Sequence, residues 1–216
     1  MRITIFGSTG MVGRRLIDRA LAHGHEVRAF GRNVFTKLST ERERLELVKG
    51  YLFQDDDVEE ALKGADAVLS ALGGGIDGVD KTRSLGMKHI VRGMEKLGIK
   101  RLVAVGGMGI LDGPDGKMLY ETPSFPPQYR PVTLEHLAAW IHMRDSHLDW
   151  TMMCPPDILD QPMGWKLKTA CNQFPGGFAK VRAGDLAELM VETLENGEFI
   201  HCRVGLGSED VSDENK

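Results

Sequence analysis

The sequence predicts an α/β fold built on a doubly wound parallel sheet, and three observations predict it. Short β-branched apolar runs alternate with segments of helical periodicity along most of the chain. The first run stops at a cluster of glycines that opens a helix. Later runs also end in glycines, so several strand ends expected at one edge of the sheet lack bulk.

In order, Ile3 to Phe6 is the first strand, and Met11, Val12, Leu16, Ile17, Ala20 and Leu21 then recur at helical spacing until Gly24. Val27 to Phe30 ends at Gly31 and completes a strand-helix-strand unit with parallel strands. A strand follows at Leu45 to Lys49, then a short helix opened by Asp55 to Asp57, and a strand at Ala67 to Leu72. Met87, Ile90, Val91, Met94 and Leu97 form the stripe of a helix from Lys81 to Leu97. Leu102 to Val105 is the fifth strand, Thr133 to Ser146 a helix, and Trp150 to Met153 a strand. Asp185 to Glu195 is a helix with Leu186, Leu189, Met190, Thr193 and Leu194 on one face, and Ile200 to Val204 is the last strand. Asp112 to Pro131 and Pro155 to Gly177 interrupt the alternation as long loops and are the expected substrate-covering lobe. The expectation is one domain over residues 1–207, followed by a polar, frayed tail from Ser208 to Lys216.

Composition narrows the class. A chain of 216 residues with 42% hydrophobic content buries roughly 70% of its unfolded surface, which excludes disordered, collagen-like and coiled-coil readings. The net charge of −4 is interspersed, so neither nucleic acid nor an anionic membrane is an expected partner. Cys154, Cys171 and Cys202 are odd in number and lack a C-x-x-C pair, which argues against a disulfide framework and a zinc knuckle and fits a reducing compartment. The opening apolar run is too short for a signal peptide, and no stretch approaches the ~20 residues of a membrane span. A soluble cytoplasmic protein without a metal is expected, a monomer or weak dimer whose partner is a small-molecule acceptor.

The chemistry sits in the strand ends. Gly7-Ser8-Thr9-Gly10-Met11-Val12-Gly13 places three glycines between the first strand and first helix, the setting of a Rossmann-type dinucleotide turn. Gly7 permits the turn, Gly10 lets backbone approach a pyrophosphate, and Gly13 lets helix pack on strand, while the helix N-terminus offers free N–H groups to phosphates. After the second strand, Arg32-Asn33 stands where an NAD site would carry a carboxylate, with Lys37 close behind and no acid until Glu41. A guanidinium there favours a 2′-phosphate and therefore NADP(H) over NAD(H); the alternative is a solvated surface arginine. Leu72-Gly73-Gly74-Gly75 and Val105-Gly106-Gly107-Met108-Gly109 leave room for a flat ring, or are plain turns. Cys154-Pro155-Pro156-Asp157 is a rigid wall on the same side, or a stiff turn.

Gly107, Met108, His136 and Asp157 are the residues expected nearest the reacting atoms, with His142, Tyr120 and Tyr129 as further proton-transfer candidates. His23, His25, His89, His147 and His201 read as surface or satisfied core residues. A Tyr-x-x-x-Lys pair is absent, since Tyr51, Tyr120 and Tyr129 are followed four residues on by Asp55, Ser124 and Thr133. Dehydrogenation by a tyrosinate base is therefore not expected.

Over nearly its whole length the chain resembles the atypical short-chain dehydrogenases related to the NmrA group, most closely the biliverdin IXβ reductase and flavin reductase type. The carriers are Ile5 to Gly10, Gly24-His25-Glu26-Val27 with Arg32, Gly64 to Val68, and the pattern from His136 to Thr151. Most specific is Pro155-Pro156-Asp157-Ile158-Leu159-Asp160-Gln161-Pro162, followed by Asp185-Leu186. The resemblance implies NADPH binding, with the glycine loop on the pyrophosphate and Arg32 on the 2′-phosphate. It also implies hydride delivery to a flat conjugated acceptor, a flavin, quinone-like compound or tetrapyrrole, with flavin as substrate and not as a bound cofactor. Such acceptors take their proton from water or a weak acid, so no strong catalytic residue is required.

Three departures stand out. Gly106 and Gly107 replace a Thr-Ser pair whose serine lies near the nicotinamide in the family. Asp157 replaces a histidine, which makes an anionic acceptor such as biliverdin less welcome. Tyr51, beside Leu52, replaces an aspartate at the adenine side and is placed to stack on or cover the adenine. The glycine pair also supports a second reading, a non-catalytic NADP(H) sensor of the NmrA type. A sugar-nucleotide epimerase is a third, disfavoured by chain length and the missing Tyr-x-x-x-Lys.

Overall fold

The computed structural model describes residues 1–39 and 41–209. Eight strands form one sheet, in the spatial order β3 (Leu45–Lys49), β2 (Glu26–Gly31), β1 (Arg2–Phe6), β4 (Ala67–Ser70), β5 (Arg101–Val105), β6 (Asp149–Cys154), β10 (Cys202–Ser208) and β8 (Leu167–Cys171). Every neighbouring pair is parallel except β10 with β8. The chain order runs outward from β1 to β3 on one side and from β4 to β6 on the other. The switch point between β1 and β4 opens a crevice beyond the carboxyl ends of the strands.

Both faces of the central strands β1, β4, β5 and β6 are buried, which is why these read as mainly apolar runs, whereas β3 and β8 at the two edges are partly exposed and carry charged residues. Ile3 and Ile5 of β1 pack with Leu16 and Ile17 of α1 (Met11–Ala22) and with Leu186 and Met190 of α6 (Ala183–Asn196). Phe6, on the opposite face, joins Val58 of α3 (Asp55–Leu62), Ile90 and Met94 of α4 (Thr82–Leu97), and Met143 of α5 (Arg130–Arg144).

The expected alternation is present, with differences where local pattern is weak. A four-residue helix α2 (Val34–Lys37) follows β2. The helix expected from Thr133 starts at Arg130, because Pro131 in its first turn has no intrahelical N–H to lose. The stretch from Pro155 to Gly177 is not a plain loop. It contains β8 and also β7 (Asp157–Leu159), which pairs with β9 (Lys180–Arg182) in a separate two-stranded sheet. Asp185, at the start of α6, holds this stretch in place by accepting hydrogen bonds from the Gly164 and Trp165 amides at 2.6 and 3.2 Å.

The last strand also differs from expectation. Phe199 and His201 take left-handed backbone angles in a turn, so β10 begins only at Cys202. The strand continues through Gly205 and Gly207 because neighbouring carbonyls come too close for side chains: a Cβ would lie 2.0 Å from the Gln173 oxygen and 2.2 Å from the Gly176 oxygen. Ser208, placed in the tail by sequence, is the end of this strand and its hydroxyl donates to the Lys180 carbonyl. Residues 210–216 of that expected tail lie outside the described residues.

Cys171 and Cys202 form a disulfide between β8 and β10, with their Cα atoms 5.7 Å apart, and Cys154 is a buried free thiol. This corrects the reading of the odd cysteine count, and the inference to a reducing compartment loses that premise. The sulfurs meet because β8 turns back antiparallel on β10, a tertiary pairing that cysteine spacing does not reveal. Iodoacetamide under denaturing, non-reducing conditions is expected to label Cys154 alone, and all three cysteines after reduction. Intact mass counts the adducts; three without reduction would contradict the bridge.

Candidate active site

A cavity of about 590 Å³ runs along the carboxyl ends of β2, β1, β4 and β5. Its floor is set by glycine geometry. Gly7 has φ +73°, and a Cβ there would lie 2.3 Å from the Ala71 carbonyl oxygen. Gly13, in the first turn of α1, would place a Cβ 2.1 Å from the Gly7 oxygen, so helix and turn touch backbone to backbone. The Gly10 amide closes the turn on the Gly7 carbonyl at 3.0 Å, and Gly10 starts α1 with neither a side-chain cap nor an acidic residue in the first turn. The amides and dipole of α1 are thus open to an anion.

Gly7, Thr9, Gly10, Met11 and Val12 line the cavity. Ser8 does not; its fully buried hydroxyl donates to the Phe30 carbonyl at 2.9 Å and ties the turn to β2. Arg32, directly after β2, lines the cavity, whereas Asn33 leads into α2 and lies outside the lining. Tyr51 and Leu52 line it together with Phe53, and the Tyr51 amide donates to Asp57 at 2.8 Å. Leu72 and Gly73 line it; Gly74 is packed against the Asp80 carboxylate instead.

At the β5 end, Gly106 lines the cavity and Gly107 lies beneath the His136 ring. A Cβ on residue 107 would be 2.8 Å from His136 Cδ2 and 3.2 Å from Nε2. The place left by the missing side chain is therefore filled by an imidazole from α5. Of the four residues expected nearest the reacting atoms, His136 alone is in the lining. Met108 starts a 3-10 turn, Met108–Ile110, packed toward the core. Asp157 is exposed at the start of β7, while its neighbour Ile158 faces the cavity. The expectation that Asp157 repels an anionic acceptor is corrected on that ground. Cys154 and Pro155 are buried behind the wall, and Pro156 is half-buried outside the lining. Burial pushes the Cys154 thiol up to about 12, so it is inert. Tyr120, Tyr129 and His142 lie outside the lining as well.

The electrostatics are one-sided. None of the described residues lining the cavity is acidic, although the chain carries a net charge of −4; Arg32, Arg83 and His136 are the basic ones. Burial, helped by the positive charge of Arg83, pulls the His136 imidazole down to about 3, so it is neutral at physiological pH. Its position is fixed by the residue before it. Burial opposes the charge of Glu135, but hydrogen bonds from Lys81 at 2.8 Å and Ser84 at 2.6 Å outweigh it and hold the carboxyl below its ordinary value. This bridge joins the start of α4 to α5. Arg83 and Thr82 are lining residues that sequence reading missed, because an arginine near a helix start with polar neighbours looks like solvated surface.

A doubly wound sheet with a glycine turn at its switch point and an acid-free cavity along the strand ends defines a dinucleotide-binding domain of oxidoreductase type. The chain belongs to the NAD(P)H-binding family, whose model matches residues 7–197. It is 28% identical over 165 residues, 74% of each chain, to YwnB of Bacillus subtilis (strain 168), described as uncharacterized. A Burkholderia pseudomallei structure, described as that of a candidate exported protein, is 31% identical with a TM-score of 0.81, covering 96% of this chain and 99% of that one. A candidate NADH-flavin reductase from Streptococcus pneumoniae is 25% identical with a TM-score of 0.82, covering 97% and 100%. A short-chain dehydrogenase/reductase of Veillonella parvula in complex with NADP, 18% identical with a TM-score of 0.76, shares the fold over 95% and 94%. Among the described residues no helix is long and apolar enough to cross a membrane.

Proposed function

We propose that this protein is an NADPH-dependent reductase that passes hydride to a flat conjugated acceptor of the flavin, quinone-like or tetrapyrrole class. The observation that carries the reading is the cavity, without an acid among its described lining residues, with Arg32 at one end, the glycine turn in the middle and Gly106 and His136 at the other. The residues fit the dinucleotide. Open amides of α1 take the pyrophosphate, Arg32 takes the 2′-phosphate, and Tyr51 and Phe53 cover the adenine. Gly73 and Gly106 leave a slot for the nicotinamide.

Bound NADPH supplies a hydride from its nicotinamide, and one proton from water completes reduction of the acceptor. The chain's own contribution is to bind, orient and shield. Without a Tyr-x-x-x-Lys pair or an ionisable acid in the cavity other than the Tyr51 phenol, no side chain is cast as a strong proton donor. His136, neutral, offers one N–H donor and one acceptor beside Gly107. The likeness to the candidate NADH-flavin reductase of Streptococcus pneumoniae supports a flavin-like acceptor.

Replacing Arg32 by alanine is expected to raise the Kd for NADPH about tenfold to a hundredfold, from the loss of about 1.5 to 3 kcal/mol of charge-assisted hydrogen bonding. NADH binding should change little. Fluorescence titration of both nucleotides checks this, and an equal effect on the two would contradict the assignment of Arg32. The function itself is tested by NADPH consumption with FMN or menadione as acceptor. Turnover supports the reductase, tight NADPH binding without turnover would replace it by a non-catalytic sensor, and absence of binding would overturn both.

A further inference from the structure

We propose that Arg83, tethered after β4, and His136, over the end of β5, form an anion-binding subsite on that side of the cavity, which selects an acceptor bearing a negatively charged substituent such as a carboxylate or sulfonate. The inference rests on the reductase reading and names the substrate class of that site.

Arg83 lines the cavity, and among the described residues its guanidinium is held by backbone carbonyls and by no carboxylate. Its Nη1 donates to the Gly75 carbonyl at 2.9 Å and its Nη2 to the Gly74 carbonyl at 3.1 Å. The acids nearest in chain and fold are committed elsewhere. Asp80 accepts from the amides of Thr82 at 2.9 Å and Gly75 at 3.1 Å, and the two Glu135 oxygens are taken by Lys81 and Ser84. A guanidinium has five N–H donors, and the two carbonyls use two of them. Nε is buried and lacks a partner. Burial lowers the Arg83 pKa below its ordinary value, and the charges of Asp80 and Glu135, which oppose the shift, offset it only in part. An anionic ligand would supply further compensating charge.

His136 completes the subsite. Its ring lies over Gly107, neutral, in the space a side chain at 107 would occupy, and none of the described residues hydrogen bonds to it. One cation and one neutral donor lining the same cavity, close enough for the Arg83 charge to act on the imidazole, suit a small oxyanion better than a second aromatic ring.

Two anions could reach Arg83: the phosphates of the dinucleotide, or a group on the acceptor. Sheet order separates them. Arg32 follows β2 and the glycine turn follows β1, whereas Gly107 follows β5, and the order is β2-β1-β4-β5. Two strand spacings of about 4.8 Å put the β5 end roughly 10 Å from the glycine turn that takes the pyrophosphate, and three put it roughly 14 Å from the 2′-phosphate end, so a group on the acceptor is the anion that reaches the His136 side.

The test compares naphthoquinone sulfonate with naphthoquinone, which share a ring and differ in charge. Isothermal titration into the protein saturated with NADP⁺ reads binding without requiring turnover, and NADPH consumption reads KM. Wild-type protein is expected to prefer the sulfonate, and Arg83→Met to reduce that preference about tenfold or more. Arg83→Lys, which keeps charge but loses the fork, should retain part of it. An unchanged preference in Arg83→Met, or an NADPH affinity that falls as far as the sulfonate affinity, would overturn the subsite. Preferential sulfonate binding without NADPH consumption would instead uphold the subsite and count against the reductase reading.

Discussion

Gly13→Val is expected to remove tight NADPH binding and to cost about 3 kcal/mol of stability, the upper range for overpacking. The Cβ alone would sit 2.1 Å from the Gly7 carbonyl oxygen and 2.8 Å from the Ser8 Cα. All of those neighbours are backbone, so no side chain can turn aside. Either α1 moves away from the sheet or the glycine turn opens. The turn has little freedom, since Gly7 itself is wedged against the Ala71 carbonyl and Ser8 is hydrogen bonded to Phe30. For a chain of this size the melting midpoint should fall by roughly 6 to 12 °C. Thermal denaturation read beside an NADPH titration measures both effects. A folded Gly13→Val protein with wild-type NADPH affinity would contradict the backbone contact.

Asp112→Ala is expected to cost about 3 kcal/mol, the lower end for breaking a buried ion pair. The Arg203 side chain is 8% exposed and donates to both Asp112 oxygens, at 2.9 and 3.0 Å, and to the Ile110 carbonyl. It also lies 4.6 Å from the centroid of Trp140. Without Asp112 the guanidinium stays buried with one carbonyl and an aromatic face as partners. Asp112 is itself 35% exposed, which keeps the expected loss at the low end. Urea denaturation of Asp112→Ala, Arg203→Met and the double variant measures the pair. The double variant should be more stable than the sum of the two single losses predicts. Additive losses would show that the pair contributes nothing of its own. Ile110 closes the 3-10 turn that begins beside Gly107, so the same variants should also raise the KM for the acceptor.

The first unit of the fold was legible because each element carries a short local signal. Ile3 to Phe6 and Val27 to Phe30 are apolar except for Thr4 and Arg28, and the periodic stripe from Met11 to Leu21 lies between Gly10 and Gly24. The glycine turn was legible for the same reason: its chemistry is contained in seven consecutive residues. Where structure depended on distant partners, local pattern was silent. β7 and β9 are three residues each, and they pair where Asp185 anchors the intervening stretch from twenty residues away. β10 was displaced because Gly205 and Gly207, weak strand formers, are favoured there only by carbonyls that approach from the segment before β9.

The cavity divides in the same way. Its cofactor side follows from strand ends and reads off the chain, although Ser8, Gly13 and Cys154 serve as its frame and not its lining. Its acceptor side is assembled by α4 and α5, far apart in sequence and joined through Glu135. Gly107 looked like a lost functional group, yet the missing side chain is what admits the His136 ring. Arg83 carried no local sign at all; its proposed role comes from a cavity with no acid among its described lining residues.

The central claim is hydride transfer from NADPH held by this chain. The most direct measurement mixes the protein–NADPH complex rapidly with FMN under anaerobic conditions and follows the nicotinamide and flavin absorbances in a single turnover. Both absorbances are expected to fall together at one rate, faster than in the reaction without protein. NADPH that stays bound while neither absorbance changes, with FMN and then with naphthoquinone sulfonate in its place, would contradict that claim.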